Sequence, residues 1–182
     1  FSTKNASIAH WNDTPMIQYI IIVFMFLAGT NFVLSYFGFK FKFRKIIQDE
    51  EFKTYSFIVF GITTIVVLFL YFKSDITQSS IVHPMVWGEL ESVIRHSLFQ
   101  VLAVITTTGF VSADYTVWTP LLTIIFFGLM FLGGSSGSTS GGIKIVRHLI
   151  MIKNGVMEFK RTLHPHAILP VRYNNRAVKQ PI

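Results

Sequence analysis

Between residues 104 and 112 the chain reads VITTTGFVS. Thr106, Thr107 and Thr108 carry hydroxyls, and Gly109 opens backbone conformations closed to most side chains. A short extended segment whose carbonyls face a common axis can replace the water shell of a cation. Such a site needs no carboxylate, and none lies between Arg95 and Asp114. Taken alone, a TTTG tetrapeptide is an ordinary turn, so its meaning depends on what stands before it. A second stretch is equally distinctive. Gly133, Gly134, Ser135, Ser136, Gly137, Ser138, Thr139, Ser140, Gly141 and Gly142 form an unbroken run of small residues, with Lys144 just beyond. Gly137 and Gly142 have the separation of a phosphate-cradling loop, but Ile143 stands where that loop requires Lys, and no strand signal precedes it.

Other chemistries are excluded by what the chain lacks. With no cysteine there is no disulfide, thiolate metal site or thiol catalysis. The 6 His and 9 carboxylates form no metal-ligand pattern. Nothing here calls for an enzyme. Of the 182 residues, 51% are hydrophobic, 19 are Phe and only 14% are charged, against about 25% in a soluble domain. The composition is that of a membrane protein.

The elements that must hold the two motifs follow from the apolar stretches. Residues 16–39, 55–72 and 115–143 carry no formal charge. A helix needs about 20 apolar residues to cross a hydrocarbon core of ~30 Å. The first two stretches are expected to be transmembrane helices. Residues 89–105 differ: they carry Glu89, Glu91, Arg95, His96 and Gln100, and their purely apolar part is only 101–105. Such a segment is expected to be re-entrant or interfacial, and TTTG at the end of a re-entrant helix reads as a selectivity filter. A helix beginning at Pro120 reaches only about 20 Å by Leu132, so it breaks inside the membrane. The small-residue run then lies at membrane depth, where irregular backbone survives only when it is buried in protein or lines a watery cavity. The plainer alternative is a cytoplasmic linker, but apolar residues resume in IKIVRHLIMI.

The net charge of +7 is distributed as a topology signal. Five Lys/Arg fall in residues 40–53 and eight from Lys144 onward, against Lys4, Lys73 and Arg95 elsewhere. By the positive-inside rule, residues 40–54 and 153–182 are cytoplasmic and 73–88 external. Nucleic-acid binding is not expected. The chain also repeats itself. PMIQYIIIVFMFLAGTN from Pro15 parallels PLLTIIFFGLMFLGGSS from Pro120, with a Trp shortly before each Pro.

The order of helix 55–72, pore helix 89–105, TTTGF and the run GGSSGSTSGGIKIVR resembles the TrkH/KtrB potassium-uptake proteins of bacteria. The resemblance implies an all-α integral membrane fold in which an M1–pore helix–M2 hairpin, like that of potassium channels, carries a re-entrant pore loop and a broken M2 helix. It implies four such repeats in one chain. Residues 1–39 would end the second, with Phe1, Ser2 and Thr3 as the tail of its filter. Residues 40–54 would be a cytoplasmic loop, 55–152 the third repeat, and 153–182 the approach to the fourth. The starting Phe1, without Met, fits a fragment. By resemblance, Thr106, Thr107, Thr108, Gly109 and Phe110 offer carbonyls to K+, the transported ion. Residues 133–142 gate the pore, and no covalent cofactor is expected. Also implied are a multi-pass place in the bacterial inner membrane among lipid, a homodimer, and a cytosolic nucleotide-binding regulatory subunit. A sodium-coupled or sodium-permeable transporter with broken helices is the alternative.

Overall fold

A computed structural model describes residues 7–73, 87–163, 172–174 and 176–177. The expected filter tail at Phe1, Ser2 and Thr3 and most of the external loop 73–88 lie outside the described residues. The fold is helical: α1 (Pro15–Ala28), α2 (Phe32–Phe39), α3 (Phe43–Gln48), α4 (Glu50–Lys73), α5 (Glu89–Ile105), α6 (Pro120–Leu129) and α7 (Ile145–Leu163). A minimal antiparallel ladder, β1 (Arg172–Tyr173) with β2 (Arg176–Ala177), is the exception to the all-α expectation.

Helix α4 is the long apolar element, spanning Glu50–Phe72 in its apolar stretch. It buries Tyr55, Val59, Thr63, Val66 and Leu70, spaced three and four apart on one face. Its other face exposes Phe57, Phe60, Ile65 and Leu68. A helix apolar all round belongs in lipid or inside other protein. The buried stripe packs on α5, whose Val93, Phe99, Leu102 and Ile105 are buried, and α1 and α6 close the same core with Ile22, Met25, Leu122 and Phe126.

Residues 16–39 do not form the single straight span expected. The helix stops at Ala28 and resumes at Phe32, with a bend of 116° between α1 and α2. The local causes are visible. Thr30 Oγ1 donates to the Leu27 carbonyl at 2.6 Å, closing off α1. Asn31 caps α2 by accepting from the Val33 N–H at 2.9 Å. Gly29 sits where any Cβ would meet the Tyr55 hydroxyl and come within 2.9 Å of Thr106 Cγ2. On its own, α4 is the one described helix long and apolar enough to span, and the bent pair α1/α2 makes a second if counted as one crossing.

The helix beginning at Pro120 breaks, as expected, but before Leu132. Thr119 caps α6 and Pro120 fills its first turn. The regular helix ends at Leu129, about 15 Å on, and single turns carry the chain to Leu132. Helices α1 and α6, the two halves of the sequence repeat, both begin at their prolines; α1 runs up to the matched small residues at Ala28 and Gly29, whereas regular α6 ends at Leu129, ahead of Gly133. At one end of the molecule the two basic stretches meet. Lys153 of α7 pairs with Glu50 of α4, and Asn174 donates to Asp49 at 2.8 Å while its side-chain oxygen accepts from the Glu50 N–H at 3.0 Å.

Candidate functional site

The candidate site is built where α5 ends. The Thr106 N–H still bonds the Leu102 carbonyl at 2.8 Å, and Thr107 and Thr108 reach back to Val104 and Ala103 at 3.0 Å each. The chain then leaves the helix through two residues of positive φ, Thr107 (53°) and Gly109 (73°). Glycine accepts such a conformation without strain, whereas other residues pay roughly 1–2 kcal/mol. Thr107 offsets part of this locally, since its Oγ1 donates to the Thr106 carbonyl at 2.7 Å. The Thr106 and Thr108 hydroxyls share a 2.6 Å bond. The carbonyl end of α5, the negative end of its dipole, thus abuts this segment. Thr107 and Gly109 are exposed, while Thr106 is buried.

Beyond Gly109 the chain doubles back along α5 and is held there. Gln100 Nε2 donates to the Ala113 carbonyl at 2.7 Å, and the His96 ring and Ser112 hydroxyl are 3.1 Å apart. The Ile8 N–H bonds the Val111 carbonyl at 3.1 Å, and Asn12 bonds the Ser112 carbonyl at 3.3 Å. The polar residues that mark α5 as non-spanning are therefore largely buried. Arg95 has 0% exposure and Gln100 1%.

The small-residue run lies directly against this turn. The Gly141 N–H donates to Thr107 Oγ1 at 2.7 Å. The run is pinned on three further sides. Ser135 N–H bonds the Gly29 carbonyl at 2.9 Å, in the break between α1 and α2. The Phe32 N–H bonds the Gly137 carbonyl at 3.3 Å. Buried Glu51, at the start of α4, accepts from both the N–H and the hydroxyl of Ser136. The neck is closed by a bridge between Leu132 and Ile143, with Gly133 N–H to Ile143 O at 2.9 Å. A Cβ on Gly133 or Gly134 would overlap the Gly141 carbonyl or the Ser140 hydroxyl, so these glycines serve close packing. Gly137 and Gly142 take positive φ. The loop is a compact, internally bonded knot rather than a solvated linker.

Lys144 does not pair with a carboxylate among the described residues. Its ammonium turns back into the loop and donates to the Ser138 carbonyl at 3.3 Å and to the Ser140 carbonyl, with the Ser138 and Ser140 hydroxyls also in reach. The expected loop and the turn at residues 106–110 are thus joined through the bond from the Gly141 N–H to Thr107 Oγ1. Sequence reasoning missed Glu51, Gly29, Asn12, Gln18 and Tyr173. Gly29 had a signal: its FLAGT matches the FLGGS of the other repeat. Tyr173 donates to Glu51 at 3.3 Å. Burial, and then the carboxylates of Glu51 and Asp49, push its phenol well above the ordinary range, so it stays a protonated donor.

Comparison with known proteins adds an independent line. The family described as TrkH, cation transport protein, matches residues 1–182. The Trk system potassium uptake protein TrkH of Escherichia coli (strain K12) is 32% identical over 183 residues, which cover 100% of this chain and 35% of that protein. The Trk system potassium uptake protein TrkG of the same strain is 31% identical over 180 residues, covering 98% of this chain and 34% of its own length. The crystal structure of the potassium transporter TrkH from Vibrio parahaemolyticus superposes with a TM-score of 0.81 at 27% identity, covering 98% of this chain and 36% of that one. The chain therefore spans about a third of the length of the curated relatives it matches.

Proposed function

From the premise that the chain belongs to the TrkH family of cation transport proteins, we propose that it forms part of a potassium-uptake pathway. In this reading α4, α5 and α6 are the M1, pore and M2 helices of one repeat, the third of four around a common pore. The backbone carbonyls of Thr106, Thr107, Thr108, Gly109 and Phe110 take the place of water around a passing K+. Residues 133–142 sit beneath them as a gate. The protein works as a multi-pass component of a bacterial inner membrane. Its partners are lipid, the other repeats of the full-length chain, a second copy of the protein and a cytosolic nucleotide-binding subunit.

One observation supports this reading most directly: the 2.7 Å bond from the Gly141 N–H to Thr107 Oγ1. It joins the two motifs that sequence reasoning had treated separately, and it does so at the inner end of the turn that leaves α5. A cation passing residues 106–110 would next meet the loop. For ions to pass, the loop must give up that bond and the pair it makes with Glu51.

The test is Gly109→Ser in the full-length protein, reconstituted in liposomes. A side chain at φ 73° costs roughly 1–2 kcal/mol and twists the turn, so the K+ over Na+ preference should fall while membrane insertion survives. Unchanged selectivity in a folded variant would refute the filter assignment.

A further inference from the structure

We propose that Arg95, Gln18 and Asn12 form a polar strut between neighbouring repeats, and that these positioning residues set ion selectivity by fixing the outer end of the third filter. The inference rests on the reading of residues 106–110 as a filter.

Arg95 is fully buried on α5. Its Nε donates to Glu91 one turn earlier at 2.8 Å, and its terminal nitrogens reach Gln18 of α1 and Ser92. Gln18, itself 0% exposed, accepts from Arg95 through its oxygen and donates through its nitrogen to Asn12 Oδ1. Asn12, 3% exposed, donates in turn to the Ser112 carbonyl at 3.3 Å. The chain of bonds runs from the pore helix of one repeat, through the helix that ends the previous repeat, and back to the irregular segment leaving the filter. Each amide is used as donor and acceptor at once, which fixes its orientation. Glu91 is fixed as well, since it also accepts from Tyr19 of α1 at 2.9 Å.

A buried charge is costly unless it is paired and fully bonded. Simple stability would be served as well by an apolar contact between α1 and α5. A strut of directional bonds does something an apolar contact does not: it sets the distance between the Ser112 carbonyl and α1, while His96 and Gln100 hold the same segment to α5. Ser112 lies three residues beyond Gly109, so that distance governs how closely the filter carbonyls can approach an ion. Selectivity between K+ and Na+ depends on such approach or on the stiffness of the carbonyl cage. On either account a slack strut weakens discrimination.

Gln18→Glu separates this role from plain stability. The carboxylate still accepts from Arg95 and forms a charge pair with it. It has no proton to give Asn12, whose amide must turn to donate to the new carboxylate and so leave the Ser112 carbonyl. The full-length variant is measured beside wild type for thermal stability in detergent and for competition of Na+ with Rb+ uptake in liposomes. The expected result is a stable protein whose K+-over-Na+ preference falls several-fold, with Asn12→Ala showing a similar fall and the double variant no more than either single one. Wild-type preference in stable Gln18→Glu and Asn12→Ala proteins would overturn the strut, as would losses that simply add. Should Gly109→Ser keep its selectivity too, the filter reading itself fails; should Gly109→Ser alone lose it, only the strut does.

Discussion

Glu51 carries more of the site than its place in the sequence suggests. It stands at the first turn of α4, in a stretch that composition marks only as charged and loop-like. Its carboxylate is buried and takes three hydrogen bonds, two from Ser136 and one from Tyr173. Hydrogen bonds to a charged acceptor contribute about 1.5–3 kcal/mol each. Glu51→Gln keeps the shape and one acceptor oxygen but turns the other into a donor facing donors. The tied-down loop should lose at least about 1 kcal/mol, roughly a five-fold rise in its open-to-closed ratio. Single-channel or flux recordings of the full-length variant should show greater conductance at unchanged ion preference. Flux at or below wild type, with normal expression, would mean that Glu51 does not hold a gate shut.

At the scale of elements, the sequence was most legible where composition changes sharply. Helix α5 runs Glu89–Ile105, the range read from its polar stripe, and Arg95 and Gln100 on it are buried in protein. The break after α6 was legible because 13 residues from a proline cannot cross the membrane and apolar residues resume beyond it. The bend at Gly29 was not, because residues 30–39 remain apolar and uncharged, and hydropathy is blind to direction. Only the internal repeat held that information. The Glu51–Ser136 contact was out of reach for another reason: it joins residues 85 apart, and no local pattern encodes such a pairing. The Lys/Arg bias predicts an orientation, and the packing of residues 49–51 against 173–174 puts the two basic stretches on one side. Both basic stretches should therefore face the cytoplasm. A cysteine replacing Gln48, the exposed last residue of α3, should react with an impermeant maleimide only after cells are permeabilised. Labelling in intact cells would invert the topology.

At the scale of the whole molecule, residues 106–110 are proposed to choose ions and residues 133–142 to stop them. The two touch through Gly141 and Thr107 yet belong to different elements, so they can be separated by mutation. The loop's anchors lie on the break between α1 and α2, on the start of α4 and on the turn after α5. In the proposed arrangement it lies where two repeats meet, so that rearrangement of either would release it. The most direct measurement is conductance and K+/Na+ selectivity of the full-length protein lacking residues 135–140. Removal takes away Ser136, Ser138 and Ser140, and with them the bonds to Glu51 and the acceptors of Lys144. The prediction is a conductance several-fold above wild type with selectivity retained. A folded, membrane-inserted deletion protein with wild-type conductance would contradict it.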